Sequence, residues 1–83
     1  MSYKVYILFS KKLDKYYTGS CEDTSVRLND HNTGRAISTK SGSPWVLKYF
    51  EEYSTRSEAM KRENEIKKKK SRKYIEWLIG SSG

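Results

Sequence analysis

One cysteine, one proline and one histidine among 83 residues remove several kinds of protein at once. Cys21 has no second cysteine to pair with, which excludes an intramolecular disulfide scaffold and suits a reducing, cytoplasmic setting. With a single histidine beside it, no four-ligand zinc set can be assembled. No run of ~18 apolar residues exists to span a membrane as a helix. No charged start followed by a short apolar segment reads as a secretory signal. Acidic residues are also scarce: 10 Asp and Glu stand against 17 Lys and Arg, for a net charge of +7. Such an excess favours polyanionic partners, nucleic acid first, then anionic membrane and acidic proteins, with a merely basic surface as the plainer reading.

Aromatic residues, by contrast, are plentiful. Seven Tyr, two Trp and two Phe supply large buried areas from few positions. That matters because a domain this short buries only about 60% of its unfolded surface. The chain is read as one domain over residues 1–79, with Gly80-Ser81-Ser82-Gly83 as a flexible tail. Tyr3 to Phe9 is β-branched and aromatic and predicts a strand, with Tyr3, Val5, Ile7 and Phe9 on one face and Lys4, Tyr6 and Leu8 on the other. After a polar loop, Tyr16 to Ser20 predicts a second strand, so the two make a hairpin. Gly19 marks a place where another backbone or a ligand comes close. A helix follows from Asp23 or Thr24 to about Thr33, ended by Gly34. Arg35 to Ser43 is a polar stretch, and Trp45 to Glu52 the third strand. Ser57 to about Lys70 and the segment from Ser71 predict two more helices, the last with Tyr74, Trp77 and Leu78 on one face. The order is β-β-α-β-α-α, an α/β (α+β) arrangement of a small sheet with helices packed on it.

Two helices carry polar residues where apolar ones belong. At 100° per residue, Ala59, Met60, Glu63 and Ile66 share a stripe, with Glu63 near its centre. A buried carboxylate costs several kcal/mol unless it is paired or bound to a metal. A salt-bridge partner, a slightly rotated helix and a metal ligand all remain open readings. In the first helix Arg27 and His31, four apart, share an arc with Asp30, while Ser25, Asn29 and Asn32 take the opposite side. That is the reverse of an ordinary amphipathic helix, although a marginal exposed helix with a surface histidine would read the same way. With Tyr6 and Tyr17 from the hairpin, Arg27, His31 and Glu63 form a set suited to phosphodiester hydrolysis. Such chemistry needs a group that positions or deprotonates water, a cation for the phosphate, and a metal at the leaving oxygen. Lys67, Lys68, Lys70, Arg72 and Lys73 gather at the junction of the last two helices, either as phosphate contacts or as a solvated helix end.

These residues resemble the GIY-YIG nucleases. Val5-Tyr6-Ile7 stands where the first motif lies and Tyr17-Thr18-Gly19 where the second lies. Asp23 to Asn32 looks like the family's arginine helix, and Ser57 to Lys68 like its glutamate helix. The likeness runs from Tyr3 to about Leu78 and is greatest to small stand-alone bacterial members, which are similar to the N-terminal nuclease domain of the excision-repair nuclease excinuclease ABC. It implies a three-stranded antiparallel sheet flanked by three helices, and one divalent metal, Mg²⁺ or Mn²⁺, held by Glu63. It also implies that Tyr6 and Tyr17 position or activate the nucleophile, that Arg27 binds the scissile phosphate, and that His31 acts as base or proton shuttle. Three positions depart from the pattern. Lys4 replaces the first motif's glycine, Thr18 replaces a commoner aliphatic residue, and Ser20 stands where the repair nuclease has lysine.

The function these readings favour is a metal-dependent DNA endonuclease, structure-selective and connected with repair or recombination. RNA is an open alternative to DNA. The competing functions are a non-catalytic nucleic-acid-binding module of the same fold and a subunit that takes its target specificity from a protein partner. No membrane role is expected.

Overall fold

In the computed structural model, which describes residues 2–35 and 37–82, the strand Tyr3–Ser10 (β1) forms the middle of the molecule. Its segment Val5, Tyr6, Ile7 and Leu8 is buried at every position, so both of its faces are covered. A continuous apolar and aromatic run is what such a doubly covered strand requires. Lys15–Cys21 (β2) and Trp45–Tyr53 (β3) pair with it on either side, both antiparallel, giving the order β2-β1-β3. Between Ile7 and Leu8 the β1–β3 register slips by a residue, a bulge in β3.

The helices Thr24–Thr33 (α1), Arg56–Lys69 (α2) and Arg72–Ser82 (α3) complete the β-β-α-β-α-α order expected from the sequence. The α2 and α3 helices cover the face carrying Val5 and Ile7, placing Ala59, Ile66 and Leu78 against them. The other face holds Tyr6, Leu8 and Trp45, with Leu28 of α1 and Tyr17 of β2 packed alongside. Among the described residues no helix is long and apolar enough to cross a membrane.

Local chemistry explains the helix ends. Asp23 caps α1 by accepting from the Ser25 and Val26 amides, and Gly34 closes it at φ 84°, a left-handed conformation that costs glycine little. Thr55 caps α2, whose Glu58 answers the same hydroxyl in return, so the helix begins at Arg56 rather than at Ser57. The polar stretch after α1 is not featureless: Ile37–Gly42 winds into a 3-10 segment. Two inward faces also differ from the sequence expectation. Met60 is half exposed and Arg62 takes its place on the inner stripe of α2. Trp77 points to solvent, while Ile75 and Ile79 join Tyr74 and Leu78 in packing α3 on the sheet. The Gly80-Ser81-Ser82 segment, expected as a tail, is the last turn of α3, where the Ser81 hydroxyl donates to the Leu78 carbonyl. Gly83, the end of that tail, and Met1, the start of the 1–79 domain, lie outside the described residues.

Candidate active site

Tyr6 stands directly across from Gly19 in the β1–β2 register. A methyl group at Gly19 would lie 2.5 Å from the Tyr6 hydroxyl oxygen and 3.2 Å from the Tyr17 ring, so only glycine leaves the phenol its place. The Tyr6 hydroxyl sits 3.1 Å from Nε2 of His31, which is fully buried. On its other side, Nδ1 of His31 lies 2.6 Å from the Thr39 hydroxyl, in the 3-10 segment. Thr39 is itself steadied by the Trp45 indole N–H, which donates to its carbonyl at 2.7 Å. Tyr17 leans on the imidazole with ring centroids 4.9 Å apart, and on Tyr6 at 6.4 Å.

Arg27, one turn before His31, completes the cluster. Its hydrogen-bonding contact with Tyr6 holds the guanidinium pKa above its usual value. Burial pushes the Tyr6 phenol up to about 12, with Arg27 working against that rise. Burial first, and the Arg27 charge second, push His31 below its ordinary 6.5, so the imidazole is neutral at neutral pH. An arginine can only donate, so it uses the Tyr6 oxygen as acceptor. The tautomer that satisfies every group then carries its proton on Nδ1, donated to Thr39, and leaves Nε2 to accept from the Tyr6 O–H. Arg27 also reaches a cleft of about 490 Å³ at the β2 edge, lined among others by Ser20, Cys21, Asp23 and Arg56.

Glu63 approaches from the other side of the sheet. Its helix covers the Val5 face, and Ser20, the β2 partner of Val5, donates its hydroxyl to Glu63 Oε1 at 2.7 Å. The second oxygen takes the Lys67 ammonium at 2.6 Å. The carboxylate is 18% exposed, so the inward placement read from helical phasing holds. Because β2 is an edge strand, the two faces meet at its rim, where Ser20 adjoins Gly19. Tyr6, Tyr17, Arg27 and His31 thus form one contact cluster, and Glu63 joins the same strand one residue further on.

The basic cluster divides. Arg72 is tied to Asp14 at 2.8 Å and to Glu76 at 3.3 Å, bracing α3 against the β1–β2 turn. Lys67 is held by Glu63, whereas Lys68, Lys70 and Lys73 are exposed. Sequence reasoning missed Thr39, which lies in a stretch with no periodicity to place it. It also missed Asn32, whose amide brackets the Trp45 backbone by donating to its carbonyl at 3.1 Å and accepting from its N–H. Ser20 could have been assigned: alternation along β2 sets it opposite Gly19 and towards α2.

Comparison with known proteins agrees with this geometry. Residues 2–75 match the GIY-YIG catalytic domain. A UPF0213 protein of Staphylococcus haemolyticus is 44% identical over 64 residues, spanning 76% of this chain and 77% of that relative. One of Staphylococcus epidermidis is 48% identical over 52 residues, 61% of this chain, and the match takes in 63% of that relative's length. The solution NMR structure of a UPF0213 protein from Bacillus halodurans superposes with a TM-score of 0.61 at 32% identity, covering 100% of this chain and 87% of that one.

Proposed function

The chain belongs to the GIY-YIG family of nucleases, and on that premise we propose that it is a divalent-metal-dependent endonuclease acting on DNA. The observation that carries this reading is the buried Tyr6–His31 hydrogen bond beside Arg27. A phenol this resistant to ionisation is a poor base alone. Passing its proton to the neutral Nε2 of His31, it can take one from an attacking water in the same motion. Thr39 holds the imidazole in the accepting tautomer, and Tyr17 packs over its ring. Arg27 binds the scissile phosphate through the cleft at the β2 edge and offsets the charge that develops there.

Glu63 is the group that would hold Mg²⁺ or Mn²⁺. Among the described residues no three His, Cys, Asp or Glu side chains gather as a cation cage. A single carboxylate still fits Mg²⁺, which commonly keeps several waters and takes one or two carboxylates with substrate phosphates. Lys67, half exposed, can withdraw from the Oε2 it now occupies. A bound metal would supply charge neutralisation at the leaving oxygen. Ser20 fixes the carboxylate from β2.

The decisive measurement is nicking of branched and plain DNA with Mg²⁺ or Mn²⁺ by wild type, Arg27→Ala and Glu63→Ala. Each variant is expected to keep its circular-dichroism spectrum and to lose about 100-fold or more in rate. Undiminished cleavage by either variant removes that residue from the mechanism. A second reading, a non-catalytic binding module, draws on the Lys67–Glu63 pair, in which an ammonium already neutralises the carboxylate. Salt-sensitive binding without cleavage under any metal would favour it. Repair or recombination, and a protein partner that selects the target, are further proposals that rest on the same domain.

A further inference from the structure

Trp77 is the one large aromatic side chain among the described residues that faces mainly outward, at 63% exposure, although the spacing of α3 offers it a place beside Leu78. Full burial of a large apolar side chain is worth about 1.5–3 kcal/mol, and here most of that is forgone. The indole is nevertheless held in place. It stacks on Tyr74 with ring centroids 6.0 Å apart and planes inclined by 26°, so one side is supported while the remainder meets solvent. Cations surround it. The Lys69 ammonium lies 5.3 Å from the Tyr74 ring centroid, Lys73 precedes Trp77 by one helical turn, and Lys70 occupies the corner between α2 and α3. Among the described residues Lys69, Lys70 and Lys73 enter no ion pair, while the neighbouring acid, Glu76, is engaged by Arg72.

From this arrangement we propose that Trp77 is a stacking site for an unpaired nucleobase, with Lys70 and Lys73 receiving the adjoining phosphates. A flat aromatic step ringed by cations matches a ligand that is both planar and anionic. An acidic peptide would use the charge but not the plane. Within a duplex the base faces are occupied by their own neighbours, so only a single-stranded or splayed base can lie on the indole. The site rests on the nucleic-acid reading above and narrows its substrate class to DNA with a single-stranded arm. Continuity along the chain supports this: Lys67 lies one turn beyond Glu63, and the lysines that end α2 lead from it to the corner where α3 begins.

Tryptophan emission provides the test, because Trp45 is buried and serves as an internal reference while Trp77 reports the surface. Wild type, Trp77→Phe and Trp77→Ala are titrated, without added metal, with a (dT)12 strand, an abasic strand of equal length and a duplex. Quenching of the wild type by (dT)12, well beyond that by the abasic strand and lost in Trp77→Phe, is the expected result. Trp77→Ala should bind (dT)12 about tenfold more weakly and the abasic strand unchanged. Equal affinity of wild type and Trp77→Ala for (dT)12 overturns the stacking site while leaving phosphate binding intact. Failure of the wild type to bind any of the three strands overturns the nucleic-acid reading together with this site. A concentration-dependent emission shift without DNA, abolished in Trp77→Ala, would assign the indole to a second copy of the chain and overturn the proposal.

Discussion

Gly19 and Tyr6 show how one missing side chain sets the geometry of a reacting group. The Tyr6 ring is 2% exposed, and its hydroxyl is bonded to a histidine that cannot move, so it has nowhere to retreat. Gly19→Ala would set a methyl 2.5 Å from that oxygen. The substitution should cost about 1–3 kcal/mol of stability, the usual penalty of overpacking, and displace the hydroxyl from Nε2. Urea denaturation combined with the nicking assay measures both effects, and a variant that is equally stable and equally active would refute the packing account. The glycine's importance is legible in the sequence, since a missing side chain in a tyrosine-rich strand signals close approach. Its partner is not, because strand alternation says which face a residue takes but not which atom fills the space opposite.

At the scale of the element, α2 is held by charge as much as by apolar contact. Its inner stripe is Ala59, Arg62, Glu63 and Ile66, and the two charged members obscure the hydrophobic periodicity from which helix phase is read. That is why periodicity points Met60 inward and leaves Arg62 out. Arg62 reaches Glu51 of β3 through Nε at 2.9 Å and Nη2 at 3.2 Å, a two-pronged pair with both side chains about one-fifth exposed. Tyr53 at 2.5 Å and Tyr49 donate to the same carboxylate. Burial pushes the Glu51 carboxyl up, but the Arg62 and tyrosine hydrogen bonds outweigh it and hold it below 4.5. Arg62→Met strands that carboxylate and should cost about 2–3 kcal/mol, below the full cost of breaking a wholly buried pair. The Glu51→Gln/Arg62→Met double variant should lose less than the two singles combined. Strict additivity in thermal or urea unfolding would dissolve the claimed coupling.

For the whole molecule, the buried histidine links stability to pH. His31 has its pKa lowered by burial and by Arg27, with Asp30 opposing them. Below its ordinary 6.5 the unfolded chain takes up a proton that the folded protein resists, so the unfolded state binds more protons and stability rises with pH in that window. Stability is therefore lost as pH falls below 6.5 and is level, for this group, above it. Urea midpoints at about pH 7.5 and about pH 5.5 should separate for wild type and converge for His31→Gln; identical pH dependence in the two proteins would contradict the assignment. The lowered carboxyls of Asp23 and Glu51 act in a separate, more acidic window, below their ordinary values of 3.8 and 4.5.

Short-range spacing by itself determined the element order, the caps of α1, the opposed faces of β1 and the common arc of Arg27 and His31. Each depends on chemistry within a few residues and repeats with the helical or strand period. What only the tertiary structure decided joins residues that no period relates. Ser20 meets Glu63 across 43 positions, Arg62 meets Glu51 across 11, and Thr39 meets His31 from a segment without regular alternation. Periodicity determines the side of an element on which a residue sits. The packing of helices on both faces of a narrow sheet determines what it meets there, and at the edge strand β2 that packing carries Glu63 from one face to the rim of the tyrosine cluster on the other.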